Sequence, residues 1–218
     1  ELAPLAHKHD LICIDDIGSG QAIDFEQHGL PNDYPVFQSI QSEADIVCFS
    51  GDKLLGSVQS GIILGADEPI QRIRKHPLAR AFRVDKMTVL GLEATMRLYY
   101  DREKVVERIP ALRMLFAPLE ELKATAHDIA EKISDKVSAK TKEDETFVGG
   151  GSLPDINLRT WTVRLSHPEM NSEVLARSLR KGDPPVFARV SEEGVVLDVR
   201  TLLPGESEKL VEAVNKLA

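Results

Sequence analysis

Short apolar runs predict the strands of the first half of this chain. Runs that end in glycine or polar residues predict strands near residues 11–15, 45–49 and 61–65. The apolar stretch 11–14 has no polar alternation, which is typical of a strand buried on both faces in a parallel sheet. Ligands in open α/β sheets bind beyond the carboxyl ends of strands, so the residues that follow each run are candidates for a site.

Helical spacing of apolar residues predicts two helices after these strands, over about 68–75 and 85–101. One face of the second helix carries an apolar stripe that we expect to pack into the core: Met87, Leu90, Ala94 and Leu98. Together with the strands, this pattern predicts an α/β domain over residues 1–110.

Residues 111–218 predict a smaller α+β domain. A helix over about 119–139 is followed by a glycine-rich segment, 149–154, which lacks the lysine and hydroxyl residue of a phosphate-binding loop and is interpreted as a plain loop. Strands near 158–165, 186–191 and 194–199 follow, with a helix at about 172–180 and a last helix after Pro204-Gly205. Residues 191–194 (Ser-Glu-Glu-Gly) predict a hairpin turn.

Composition limits the class of protein. The 218 residues are 42% hydrophobic, which is enough for one or two cores, and the net charge of −8 argues against a general nucleic-acid binder. A local basic patch is nevertheless formed by Arg72, Arg74, Lys75, Arg80, Arg83 and Lys86. Cys13 and Cys48 lie in apolar runs, so we expect reduced thiols in a cytoplasmic protein rather than a disulfide. No apolar run reaches the length of a membrane span.

A lysine directly after the second strand carries the chemical signal of the chain. Residues 49–56 read Phe-Ser-Gly-Asp-Lys-Leu-Leu-Gly, which places Lys53 on a turn at the mouth of an apolar strand. An amine that burial keeps neutral can form a Schiff base, the linkage used by enzymes that depend on pyridoxal 5′-phosphate (PLP). Ser50 could contact the cofactor phosphate, and Asp52 could move protons beside the lysine or be a turn residue.

Two carboxylates end the first strand. Asp15 and Asp16 precede a Gly-Ser-Gly loop, and a carboxylate at a strand end can pair with the pyridine nitrogen of PLP. We favour Asp15 as that partner because the side chain that ends the strand points into the cleft. Asp16 is the alternative, since adjacent strand residues point to opposite faces.

Several long strings occur in a fixed order along the chain. They cover residues 15–20, 27–31, 49–56, 59–63, 76–88, 93–99, 150–154 and 195–200. In these strings the chain resembles bacterial selenocysteine synthases, the L-seryl-tRNA(Sec) selenium transferases. The resemblance covers nearly the whole chain and is weakest around residues 102–145.

The chain departs from the family pattern after the lysine. The family usually continues Leu-Leu-Gly-Gly-Pro-Gln, whereas this chain has Ser57 and Val58 where the family has Gly-Pro. Related sugar-acid-phosphate ammonia lyases usually carry Ser-Gly-Gly-Lys and tend to lack the string His-Pro-Leu-x-Arg-Ala-x-Arg of residues 76–83. Both differences favour the selenium enzymes.

The resemblance implies the fold of PLP-dependent fold-type-I enzymes. This chain would supply the C-terminal half of the large domain over 1–110 and the small C-terminal domain over 111–218. It implies conversion of seryl-tRNA(Sec) to selenocysteinyl-tRNA(Sec) with selenophosphate, through an aminoacrylyl intermediate, with Lys53 as the Schiff-base lysine. A homo-oligomer is implied as well.

The resemblance also implies a place for the selenium donor. Arg80 and Arg83, three residues apart, would share a face on a helical turn and present two guanidinium groups to the anionic selenophosphate. His28 and His76 are left either as structural residues or as residues that support the site without touching its ligands. No cluster has metal-ligand spacing, so we predict no metal.

The chain begins with Glu1 and lacks the sequence that such an active site also needs. We expect it to be a part of a protein about twice as long, whose missing N-terminal part binds most of the tRNA, and to be inactive alone. Two alternatives stay open. One is a PLP-dependent lyase that acts on a small amino acid or amino sugar acid. The other is an inactive fragment that only folds and self-associates.

Overall fold

The structure is a computed structural model in which residues 2–217 are described. The chain divides into two compact units. The first comprises the residues up to Arg113 together with Gly149–Pro154, and the second comprises Met114–Val148 and the residues from Asp155 onward.

A three-stranded mixed sheet forms the centre of the first unit, in the order β1-β2-β3. β1 (Ile14–Gly18) runs parallel to β2 (Ile46–Ser50), and β2 runs antiparallel to β3 (Gly61–Gly65). The helices that precede or follow these strands are α1 (Leu2–His7), α2 (Val36–Gln41), α3 (Asp67–Lys75), α4 (Pro77–Ala81), α5 (Lys86–Leu98), α6 (Val105–Arg108) and α7 (Pro110–Leu115).

The prediction that the first strand is buried on both faces is wrong. β1 begins at Ile14, three residues later than predicted, and Leu11, Ile12 and Ile14 are 62%, 45% and 61% exposed. The reason is the position of β1 at the edge of the sheet of the described residues, where it pairs with β2 alone. Among the described strands, only the β1–β2 pair has the parallel arrangement that the apolar run suggested.

The core of the first unit lies under β2 and the turn that follows it. Val47, Phe49 and Leu55 are buried together, and Leu92 and Tyr99 from the α5 region pack against them. α5 therefore faces the core with a different side from the one predicted.

The predicted core stripe of α5 is wrong in phase. Met87 and Leu90 are 75% and 57% exposed, Ala94 is exposed, and Leu98 is only half-buried. Leu92 and Thr95 are the residues of α5 that face inward, because they contact β2 and the turn after it. The apolar periodicity located the helix, but it did not show which of the apolar faces of the helix packs against the core.

The second unit has a four-stranded antiparallel sheet in the order β4-β5-β7-β6. Its elements are α8 (Leu119–Lys132), β4 (Ser138–Phe147), β5 (Asn157–Ser166), α9 (Ser172–Lys181), β6 (Arg189–Ser191), β7 (Gly194–Asp198) and α10 (Glu206–Asn215). The core lies between the sheet and the helices, with Ile129, Val163, Leu175, Val195 and Val214 among its members.

Sequence patterns missed β4 altogether. α8 ends at Lys132 rather than near 139, and the residues predicted as its last turn lead into a ten-residue strand. β4 is an edge strand rich in charged residues, and such strands show no apolar alternation. Cross-strand ion pairs hold its charged residues, such as Arg159 with Glu143 and Arg164 with Asp144.

The turns of the second unit were predicted correctly. Ser191 pairs with Gly194 across the β6–β7 hairpin, and α10 begins directly after Pro204-Gly205. Gly149–Pro154 is a loop, as predicted, and it belongs to the first unit.

Candidate active site

Lys53 lies in a turn that its own backbone and a neighbouring loop hold firmly. Gly51 follows β2 directly, and its amide donates to the carbonyl of Ser60 at 2.8 Å. The amide of Leu54 donates to the carbonyl of Ser19 at 3.0 Å, and Leu54 itself is buried. Lys53 is half-buried, and its Nζ forms no hydrogen bond or ion pair with the residues described. Among the described residues, the amine thus has no hydrogen-bond or ion-pair partner, and the backbone of its turn is hydrogen-bonded on both sides.

The loop after β1 lies directly against this turn. Gly18 has a φ of +63°, and a Cβ added there would lie 3.9 Å from the Nζ of Lys53. A Cβ at Gly20, where φ is +73°, would come within 2.7 Å of the carbonyl oxygen of Ser50. The glycines therefore let the end of β1 approach the end of β2 and the lysine amine closely.

The strand register separates the two candidate carboxylates. Asp15 is opposite Val47, and Asp16 is opposite Cys48, in the parallel pair β1–β2. Because side chains alternate along a strand, Asp16 lies on the face of Cys48 and Ser50, whereas Asp15 lies on the other face, with Val47. Asp15 lines a cavity of about 360 Å³ next to α2, together with Tyr34 and Ser39.

The pKa of the Cys48 thiol indicates which of the two carboxylates lies beside it. Partial burial raises the pKa of the Cys48 thiol, and the charge of Asp16 and a hydrogen bond with it raise this pKa further. Asp15 contributes to the raised pKa only through a weaker charge effect. Asp16 is accordingly the carboxylate beside Cys48, on the face that also carries Ser50.

The remaining candidate residues differ in their exposure. Ser50 is half-buried at the end of β2, whereas Asp52 is exposed on the turn. The chemical groups near this edge of the sheet are thus an amine, a carboxylate and a hydroxyl. These are the groups that would bond the aldehyde, the pyridine nitrogen and the phosphate of PLP, so the donor set fits this cofactor.

Arg80 and Arg83 do not share a helical turn as predicted. α4 ends at Ala81, Phe82 caps it, and Arg83 lies in the non-helical segment that precedes α5. Both arginines are exposed, and neither forms an ion pair with any residue in the range 2–217. His76 has the structural role expected of it, because its Nδ1 accepts from the amide of Leu78 and caps α4.

α5 supplies contacts to the lysine turn that the sequence did not reveal. The hydroxyl of Tyr99 donates to the carbonyl of Leu55 at 2.8 Å, and the hydroxyl of Ser57 donates to that of Thr95 at 3.0 Å. Val58 packs against Gly91 so closely that a Cβ there would lie 2.7 Å from Val58 Cγ1. The two residues that depart from the family pattern, Ser57 and Val58, are therefore both held by α5.

The sequence analysis also missed a buried polar network in the residues that follow β1. Gln21 is fully buried; its Nε2 donates to the carbonyl of Ile23 and to Asn32, and its Oε1 accepts from the amide of Asp33. Asp33 in turn accepts from the amide of Leu153 at 3.2 Å. The polar composition of residues 15–33 was the available signal, but sequence alone does not show which polar residues are buried.

Other features of the structure bear on the class of site. Within residues 2–217, no group of three or more metal-ligating side chains is close enough to hold an ion. Among the described helices, none is both long and apolar enough to cross a bilayer.

Comparison with solved structures defines the fold class. The structure of D-glucosaminate-6-phosphate ammonia-lyase superimposes on 99% of this chain and on 51% of its own chain, with a TM-score of 0.58 and 22% identity. The chain thus has the mixed α/β fold of PLP-dependent fold-type-I enzymes, as predicted.

Sequence comparison gives the family. The family model described as "SelA: L-seryl-tRNA selenium transferase" matches residues 1–203. The L-seryl-tRNA(Sec) selenium transferases of Alkaliphilus oremlandii and Hyphomonas neptunium are each 41% identical to the whole chain, which spans 47% and 48% of their lengths. The chain belongs to the L-seryl-tRNA selenium transferase family, and it spans about half the length of these curated relatives.

Proposed function

We propose that this chain carries the cofactor-binding lysine of an enzyme that converts seryl-tRNA(Sec) to selenocysteinyl-tRNA(Sec) with selenophosphate. The observation that carries the proposal is the family match over residues 1–203, which includes Lys53 and its turn. The proposed cofactor is PLP, which when bound supplies an electron sink for negative charge at the Cα of the serine ester.

The residues of the lysine turn take distinct roles in this proposal. Lys53 offers the amine that bonds PLP covalently, and its lack of an ion-pair partner among the described residues supports that role. Asp16 pairs with the pyridine nitrogen, in preference to Asp15, because Asp16 lies on the face of Ser50. Ser50 holds the phosphate, and the exposed Asp52 moves protons to and from the substrate.

Arg80 and Arg83 are proposed to bind the selenium donor. Both guanidinium groups are exposed and without an ion-pair partner in the part of the chain that is described, so they remain available to an anion. The tRNA is proposed to bind mainly to the part of the relatives that this chain does not span.

A domain assignment and an assembly complete the proposal. Residues 1–110 would form the cofactor-binding part and 111–218 the smaller domain, apart from the loop Gly149–Pro154, which belongs to the first unit. We further propose a homo-oligomer, which the exposed apolar residues in and next to α4 and α5 support, because large apolar patches mark interfaces. They include Leu78, Phe82, Met87 and Leu90.

The test uses the full-length protein that contains this chain. Purified protein is given seryl-tRNA(Sec) and selenophosphate, and selenocysteinyl-tRNA(Sec) is measured. Lys53→Ala should abolish product. The double variant Arg80→Ala, Arg83→Ala should raise the selenophosphate concentration that gives half-maximal rate at least tenfold. A tenfold rise corresponds to about 1.4 kcal/mol, which is the size of one lost charged contact. The exposed Lys75→Ala is the matched control and should leave the rate unchanged.

Failure has a distinct signature. Release of ammonia from a small amino acid or amino sugar acid, with no turnover of seryl-tRNA(Sec), would select the lyase alternative. Absence of both reactions in a well-folded full-length protein would select an inactive fold.

A further inference from the structure

Two residues contact the turn that carries Lys53: Thr95 in α5, and Tyr99, which caps the C-terminal end of α5. The Tyr99 hydroxyl donates to the carbonyl of Leu55, two residues after the lysine, and Thr95 accepts from Ser57, four residues after it. Among the hydrogen bonds of the described residues, the Tyr99 bond is the one that a side chain makes to the backbone of residues 51–55.

Both hydroxyls are firmly placed. Tyr99 packs in the core with Val47, Phe49 and Leu55, and burial raises the pKa of its phenol, so it stays protonated and remains a donor. The Thr95 hydroxyl donates to the carbonyl of Gly91 at 3.0 Å, one helical turn earlier, which leaves its oxygen free to accept from Ser57. The helix is thus a rigid support for the turn.

We propose that Tyr99 and Thr95 are positioning residues that fix the lysine turn so that the Lys53 amine meets PLP in one orientation. This inference rests on the proposed function of Lys53. Neither residue touches the cofactor; each acts through the backbone or side chain of the turn. Backbone hydrogen bonds also hold the turn: the amides of Gly51, Leu54, Gly56 and Ser57 donate to the carbonyls of Ser60, Ser19, Lys53 and Gly51.

The chain offers closely matched variants. Tyr99→Phe removes one hydroxyl and keeps the packed ring, while Tyr100→Phe removes the hydroxyl of the next residue, which is 89% exposed. Thr95→Val removes the acceptor in a side chain of the same shape, and Thr95→Ser restores a hydroxyl. All four can be made in the full-length protein that contains this chain.

Hydrogen exchange tests the support of the turn without any cofactor. We expect the amides of Leu54, Gly56 and Ser57 to exchange about threefold to tenfold faster in Tyr99→Phe, the factor that corresponds to one lost hydrogen bond. Tyr100→Phe should exchange like the wild type. Unchanged exchange of these amides in Tyr99→Phe would overturn the inference.

Cofactor orientation is the second readout, because a purely structural role would not change it. After PLP is added, the first signal is the induced circular dichroism of its chromophore. The second signal is the yield of borohydride-trapped PLP at Lys53, divided by the yield at the exposed Lys75. We expect Tyr99→Phe and Thr95→Val to lose at least half of both signals, with Thr95→Ser close to the wild type. Full signals in both variants would overturn the inference.

The two proposals fail in different ways. A wild-type full-length protein in which PLP labels Lys53 no more than Lys75 would contradict the proposed role of Lys53. The exchange experiment would still decide whether Tyr99 holds the turn.

Discussion

The orientation of one carboxylate determines how a cofactor could sit at the end of this sheet. Asp15 and Asp16 are adjacent, yet the β1–β2 register turns Asp16 towards Cys48 and Ser50 and Asp15 towards the other face. No pattern in the sequence could separate them, because a strand shows two faces but not which one meets the lysine. The raised pKa of Cys48 offers an experimental readout of that choice.

We predict that Asp16→Asn lowers the pKa of the Cys48 thiol and Asp15→Asn lowers it less. Burial is the largest cause of the raised pKa, and the charge and hydrogen bond of Asp16 come next. The rate of alkylation of Cys48 is measured against pH in a Cys13→Ser background. Since only the thiolate reacts, the wild-type midpoint should lie above 9.0, the ordinary value for this thiol. A larger effect of Asp15→Asn would assign the site carboxylate to Asp15.

At the scale of elements, close backbone approach builds the lysine turn. A Cβ at Gly51 would collide with the Ser60 hydroxyl and lie 2.6 Å from the carbonyl oxygen of Val58. The residues between β2 and β3 therefore fold back on the turn, and glycine is required at its first position. Only the Ser-Gly-Asp composition of the turn could be read from the sequence, not this contact.

Gly51→Ala should lower the free energy of unfolding of the first unit by roughly 1–3 kcal/mol, the usual cost of an overpacked site. Gly61→Ala, ten residues later, is the control: a Cβ there meets nothing within 4 Å, so stability should stay unchanged or rise by up to about 1 kcal/mol. Urea unfolding followed by far-UV circular dichroism measures both. Equal stability of the two variants would show that the turn is not packed as described.

The helices and strands also show which features the sequence patterns could not predict. Clean apolar runs located β2 and β3 within a residue, and the turn residues of the β6–β7 hairpin located that hairpin. β4 was missed because its side chains are mostly charged, and the packed face of α5 was assigned to Met87 and Leu90 instead of Leu92 and Thr95. Periodicity depends on an apolar stripe facing inward, and α5 has apolar residues on more than one side.

For the molecule as a whole, the most unusual buried group is a cation in the second unit. In the second unit, the guanidinium of Arg200 is buried, and it donates to the carbonyls of Met114, Leu115 and Arg159. Burial lowers the pKa of this guanidinium, an effect that the charge of Asp198 opposes. One side chain thus satisfies three backbone acceptors from two separate segments of the unit.

Arg200→Ala should destabilise the second unit by roughly 2–4 kcal/mol, because it leaves buried carbonyls without donors. Trp161, the single tryptophan of the chain, lies partly buried in that unit and reports its unfolding by fluorescence. The exposed Arg177→Ala on α9 is the control, with an expected change within about 0.5 kcal/mol. If the two variants unfold at the same urea concentration, Arg200 does not hold the unit together.

Lys53 is, in our proposal, the residue that binds PLP covalently. The most direct measurement adds PLP to the chain and to the full-length protein, reduces both with borohydride, and maps the modified lysine by peptide mass. We expect label to be concentrated at Lys53 in the full-length protein and to be lost in Lys53→Ala, with Lys75 and Lys86 at background. Label spread evenly over surface lysines of the full-length protein, or unchanged by Lys53→Ala, would contradict it.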